Sequence, residues 1–104
     1  GDVRGREAIV FEDEISTGST LLAAAEVLQE QGAAAIYVCA THAVFAGDAL
    51  ERLQQSAINE VVVTNTIPHK DLPSKITELS VAPLLAEAIQ RVTTGESISS
   101  LFEF

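Results

Sequence analysis

The residues of this chain best suited to chemistry lie together in "IVFEDEISTGSTLL", Ile9 to Leu22. Three acids, Glu12, Asp13 and Glu14, end an apolar run. Small hydroxylated residues around one glycine follow at once: Ser16, Thr17, Gly18, Ser19 and Thr20. An alanine- and leucine-rich helical pattern comes next. Small residues before a helix leave backbone amides free, and the helix dipole favours an anion there. Thr17, Ser19 and Thr20 add hydroxyl donors, and Gly18 permits close backbone approach. Carboxylates accept hydrogen bonds from sugar hydroxyls. Phosphate on the amides and diol on Glu12 and Asp13 would suit a phosphorylated sugar. The same residues also suit a plain helix N-cap with acids complementing the dipole. The loop is not a Walker P-loop, because no lysine follows its glycine, nor a dinucleotide fingerprint, which needs three glycines.

Composition bounds the rest. The chain has 104 residues, a net charge of -9 from 15 acids and 6 bases, and one cysteine. That is one domain at most, with a modest core. Six bases make nucleic-acid binding by a basic patch a poor fit. A lone Cys39 excludes a disulfide framework and points to a reducing compartment. No signal peptide and no long apolar run is visible, so a soluble, cytoplasmic protein without membrane contact is expected.

The elements that must hold the loop alternate along the chain. Ala8–Phe11, Ala35–Ala40, Glu60–Thr64 and Ile76–Leu79 read as buried strands. Leu21 to Leu28, stopped by Gly32, reads as a helix; so do Asp48–Gln55 and, after a Ser80 cap, Val81 to about Val92, ended by Gly95. Residues 66–74 hold two prolines and read as a loop. Continuously apolar strands between helices predict an α/β fold, a parallel sheet of about four to five strands with helices on both faces. Four strands are few for such a sheet, so part of a larger domain is expected. Ligands of open α/β sheets sit beyond the strands' carboxyl ends, where Glu12 to Thr20 fall.

The order of apolar strand, paired acids, spacer and hydroxylated loop resembles the phosphoribosyl-pyrophosphate loop of type I phosphoribosyltransferase folds. "GDVRGREAIVFED", "ATHAVFAGDALERLQQSAINEVVVTNTIP", "KITELSVAPLLAEAIQRV" and "GESISSLF" resemble successive blocks of the C-terminal domain of the ribose-phosphate pyrophosphokinase (phosphoribosyl pyrophosphate synthetase) family. The resemblance covers nearly the whole chain and implies a partial C-terminal phosphoribosyltransferase-like domain over 1–104. That family transfers the pyrophosphoryl group of ATP to the 1-hydroxyl of ribose 5-phosphate, giving phosphoribosyl pyrophosphate and AMP, with Mg2+ accompanying the substrates. The resemblance implies that Ser16, Thr17, Gly18, Ser19 and Thr20 hold the 5-phosphate. Glu12 and Asp13 would then face the ribose 2- and 3-hydroxyls. Ser97, Ser99 and Ser100 match a C-terminal serine cluster that serves as an allosteric phosphate or ADP site between subunits, which implies a homo-oligomer.

Three departures stand out. Glu12 replaces the usual aspartate, Glu14 a usually apolar residue, and Ser16 the aspartate of the synthetases, although serine occurs in related phosphoribosyltransferases. The family's ATP-site and catalytic basic residues have no counterpart here, and no base beyond Arg4 or Arg6 is expected beside the loop. No catalytic residue and no metal ligand is therefore assigned, and the chain alone is expected to bind weakly or not at all and not to turn over. Two alternatives stay open: a phosphoribosyltransferase using phosphoribosyl pyrophosphate, and a non-catalytic, synthetase-associated regulatory subunit. His42 reads as a sugar contact or a hydrogen-bonded loop residue, His69 as surface and Cys39 as a small buried residue. Phe102 and Phe104 on one face of a strand would leave an apolar edge.

Overall fold

The computed structural model describes residues 1–102. The expectation for Phe104, and that for the Phe102 side chain, fall outside what it describes. Strand β1 (Glu7–Ile15) leads into helix α1 (Ser19–Glu30), β2 (Ala35–Ala43), α2 (Ala49–Gln54), β3 (Glu60–Thr64), β4 (Ile76–Leu79) and α3 (Ala82–Thr94), and a 3-10 turn follows at Ser99–Phe102. The four strands form one sheet in the order β1-β2-β3-β4, every pair parallel. The α/β class and the parallel sheet agree with the sequence reading.

Two strands run further than their apolar residues. β1 continues through the three acids to Ile15, and β2 continues through His42 to Ala43. The ladder joins Glu12 to Ala40, Glu14 to His42 and Ile15 to Ala43. Pairing with a neighbour outweighs the poor strand propensity of acids. His42 thus closes a strand instead of opening a loop.

The strand order never reverses. Right-handed crossovers between successive neighbours place every connection on the same face of the sheet. That face carries the core: Ile36, Val38, Ala40, Val61, Val63 and Ile76 from the strands meet Leu21, Ala25, Ala49 and Leu53 from α1 and α2. The alternation along each strand sends the remaining side chains to the opposite face. There Ile9, Phe11 and Leu79 are exposed, and Cys39 is half-buried instead of buried. No residue of α3 is buried, and its Leu84, Leu85, Ile89 and Val92 face solvent.

Candidate functional site

The exit of β1 is held by the exit of β2. The Ile15 carbonyl accepts the N–H groups of Val44 and Phe45, each at 3.0 Å, and the Ser16 carbonyl accepts that of Ala46 at 2.9 Å. With these carbonyls turned toward residues 44–46, the chain rounds Gly18 and enters α1. Gly18 is the N-cap residue in the left-handed conformation, φ 80°. Its carbonyl accepts the Leu22 N–H at 2.8 Å and starts the helix. Gly18 has no side chain to cap the first turn, so the first-turn amides are not spent on the N-cap residue as a plain N-cap would spend them, and the one side-chain contact is a long one from the Ser19 N–H to Thr17 Oγ1.

The result is a cleft of about 250 Å³ lined by Glu12, Glu14 and every residue from Ile15 to Leu21. Pockets for drug-sized ligands run from about 300 to 1,000 Å³, so this one fits a smaller molecule. Ser16, Thr17, Gly18, Ser19 and Thr20, the loop residues singled out in the sequence, all line it. Of the three acids, Glu12 and Glu14 line it and Asp13 does not. Strand alternation separates them: Glu12 and Glu14 share one side of β1, and Asp13 takes the other. The Asp13 carboxylate accepts the Glu14 N–H at 2.9 Å.

The loop has an inner hydrogen-bond chain. Thr17 Oγ1 donates to Ser19 Oγ at 3.3 Å and accepts the Ser19 N–H at 3.5 Å. A base joins from a distant element. Arg52 Nη1, from α2, lies 3.2 Å from Ser19 Oγ and 3.5 Å from the Thr17 carbonyl oxygen. This corrects the expectation that only Arg4 or Arg6 could lie near the loop. Arg4 pairs with Ala33 before β1 begins, and the nine residues of β1 put about 30 Å between it and the loop. The sequence carried one signal for Arg52: it is the only Lys or Arg between Arg6 and Lys70.

The other candidates lie elsewhere. His42 Nδ1 hydrogen-bonds Thr66 Oγ1 at 2.8 Å, so its partner comes from the loop after β3. His69 is half-buried, a correction to its surface reading: its ring lies tilted against that of Phe45, centroids 5.2 Å apart, and its Nε2 donates to the Ala43 carbonyl. Ser97 and Ser99 join their hydroxyls at 2.7 Å, and Arg91 Nη1 donates to the Ser97 carbonyl and to Ser100 Oγ. Arg91 also pairs with Glu87 at 3.0 Å. Among the described residues no three His, Cys, Asp or Glu side chains form a group that could hold a metal ion, and no helix is long and apolar enough to cross a membrane.

Comparison with known proteins gives the family. Residues 1–103 match the family described as phosphoribosyl synthetase-associated domain. A ribose-phosphate pyrophosphokinase of Caldanaerobacter subterraneus subsp. tengcongensis is 53% identical over 104 residues, which cover 98% of this chain and 33% of that protein. One of Wolinella succinogenes is 50% identical over 102 residues, with the same coverage. The crystal structure of phosphoribosylpyrophosphate synthetase from Mycobacterium smegmatis superimposes with a TM-score of 0.86 at 41% identity, over 91% of this chain and 33% of that one. The chain spans about a third of the length of these relatives.

Proposed function

Since the chain belongs to the phosphoribosyl synthetase-associated domain family, a family whose ribose-phosphate pyrophosphokinases it resembles along nearly its whole length, we propose that it is the ribose 5-phosphate-binding part of such an enzyme. The whole enzyme would join ATP and ribose 5-phosphate to give phosphoribosyl pyrophosphate and AMP. The observation that carries this reading is the cleft at the end of β1, lined both by the hydroxylated residues that open α1 and by Glu12 and Glu14.

The chemistry is positioning. The 5-phosphate accepts hydrogen bonds from the loop amides and from the Ser19 and Thr20 hydroxyls, while Thr17 Oγ1 donates to Ser19 Oγ. Glu12 accepts from the ribose 2- and 3-hydroxyls, with Asp13 the family's second acid and Glu14 the one that lines the cleft here. A sugar phosphate held at both ends offers its 1-hydroxyl in one place, and holding reactants in register supplies much of the catalysis in such transfers. Magnesium bound with the nucleotide would supply neutralisation of phosphate charge. The residues described here do not fit a resident metal site, so no step runs through one. Cations and nucleotide contacts come from the rest of the enzyme, and this chain alone binds weakly and does not turn over. The setting proposed is cytoplasmic and homo-oligomeric, with Ser97, Ser99 and Ser100 beside Arg91 as a separate contact for a phosphate effector.

Calorimetric titration of ribose 5-phosphate with magnesium into this chain tests the reading. Heat of binding that disappears in a Thr17→Ala, Thr20→Ala double variant is the expected result. Equal binding by the double variant would remove the loop from the site. AMP formed from ATP by this chain alone would refute its dependence on further residues.

A further inference from the structure

We propose that Arg52 is the positioning residue of the loop, turning the Ser19 hydroxyl into an obligate donor toward a bound phosphate. The inference rests on the reading that the cleft takes the phosphate of a sugar phosphate. A serine hydroxyl has two acceptor lone pairs and one hydrogen. Arg52 Nη1 lies 3.2 Å from Ser19 Oγ, and a guanidinium donates but never accepts. Thr17 Oγ1 donates to the same oxygen at 3.3 Å. Both lone pairs are therefore engaged by donors from within the protein. The Ser19 hydrogen has no acceptor among them and is left to point into the cleft that Ser19 lines.

Arg52 acts on the backbone as well. The 3.5 Å contact to the Thr17 carbonyl holds the peptide plane between Thr17 and Gly18. In a trans peptide the N–H of Gly18 points away from that carbonyl, so holding the oxygen on the α2 side turns the amide to the opposite side. Arg52 does not itself line the cleft. It lines a separate groove with Leu22, Ala25, Glu26 and Gln29, and its Nη1 reaches the loop. In a chain of net charge -9 it also places one positive charge against the loop of a cleft that Glu12 and Glu14 line. A charge-assisted donor polarises the hydroxyl it contacts, which strengthens that hydroxyl as a donor in turn.

The test is an amide NMR titration of this chain with inorganic phosphate and with ribose 5-phosphate, taken to millimolar concentrations. Arg52→Gln, Arg52→Lys, Ser19→Ala and the paired variants Arg52→Gln/Ser19→Ala and Arg52→Lys/Ser19→Ala are compared with the parent, each checked for a native spectrum. The expected result is that Arg52→Gln weakens both ligands about tenfold and Arg52→Lys less. In the Ser19→Ala background Arg52→Gln should change affinity by less than about twofold, the non-additivity of residues that act as a unit. If Arg52→Gln does not fold, the cycle with Arg52→Lys decides, since it keeps the charge and the stem but loses the planar fork. Unchanged affinity in the folded Arg52 variants, or effects that simply add to Ser19→Ala, would overturn the role of Arg52 while leaving the cleft intact. A parent that binds neither ligand would overturn the site and this inference together.

Discussion

Phe45 reaches back from the end of β2 to donate its backbone N–H to the Ile15 carbonyl at 3.0 Å, and it does so with a left-handed backbone, φ 50°. A side chain in that region costs roughly 1–2 kcal/mol. The surroundings offset it: Phe45 is only 9% exposed, and its ring meets His69. Strain is thus placed where the two loop exits lock together. Phe45→Ala should lower stability by about 3 kcal/mol, the usual loss for truncating a buried phenylalanine. Phe45→Gly should unfold at the same or a higher urea concentration than Phe45→Ala. That inverts the usual penalty of about 0.5–1 kcal/mol for glycine relative to alanine, because glycine alone relieves the positive φ. Urea denaturation of both variants checks the order.

Gly18 carries the other left-handed turn of the site, φ 80°. A Cβ built there would meet only Leu22 Cδ1 at 3.8 Å and Ile15 Cγ2 at 3.9 Å, which is ordinary contact. Space is not the constraint; backbone conformation is. Gly18→Ala should therefore cost about 1 kcal/mol by strain, and Gly18→Asn less, since asparagine tolerates this region better. Thermal unfolding of the three proteins gives the ranking, and a larger loss for Asn than for Ala would place the cost in side-chain crowding instead.

Asn59 fastens β2 before β3 begins. Its Oδ1 accepts the Ile36 N–H at 2.8 Å, and its own N–H donates to the Ile36 carbonyl at 2.8 Å. Ile36 is buried, so removing the side-chain acceptor leaves an amide without a partner away from water. Asn59→Ala should cost about 1–3 kcal/mol. Asn59→Asp keeps the acceptor and should lose less at neutral pH. Hydrogen exchange of the Ile36 amide provides the site-specific check: faster in the alanine variant, close to parent in the aspartate one.

Much of this architecture is legible in local sequence, because its signals are local. β3 and β4 have the bounds that the runs "EVVVT" and "ITEL" mark, and Gly95, φ 79°, ends α3. The candidate anion loop announces itself through residue types that lie within nine positions of one another. What was hidden comes from contacts made across the chain. Arg52 joins Ser19 over 33 residues and His69 joins Ala43 over 26, and no periodicity encodes such pairings. That Glu14 and not Asp13 lines the cleft beside Glu12 follows from β1 running on through the acids, where it pairs with the neighbouring strand. The sequence pattern likewise cannot tell an order that reverses from one that does not, so the one-sided placement of α1 and α2 had to be observed.

That one-sided core makes a sharp contrast between two apolar residues. Leu53, on the buried side of α2, is 0% exposed, whereas Phe11, larger and in the centre of β1, is 77% exposed on the far face. Burial, not hydrophobicity, decides what a residue contributes to folding. Leu53→Ala should lower stability by about 3 kcal/mol, through lost transfer energy and the cavity left behind. Phe11→Ser should change it by less than about 0.5 kcal/mol, as at other surface positions. An apolar side chain held in water instead favours association, so Phe11→Ser should reduce self-association of this chain at high concentration. Denaturant midpoints for the two variants, with sedimentation velocity for Phe11→Ser, separate these effects. A Phe11→Ser loss as large as that of Leu53→Ala would mean that the far face is packed in solution.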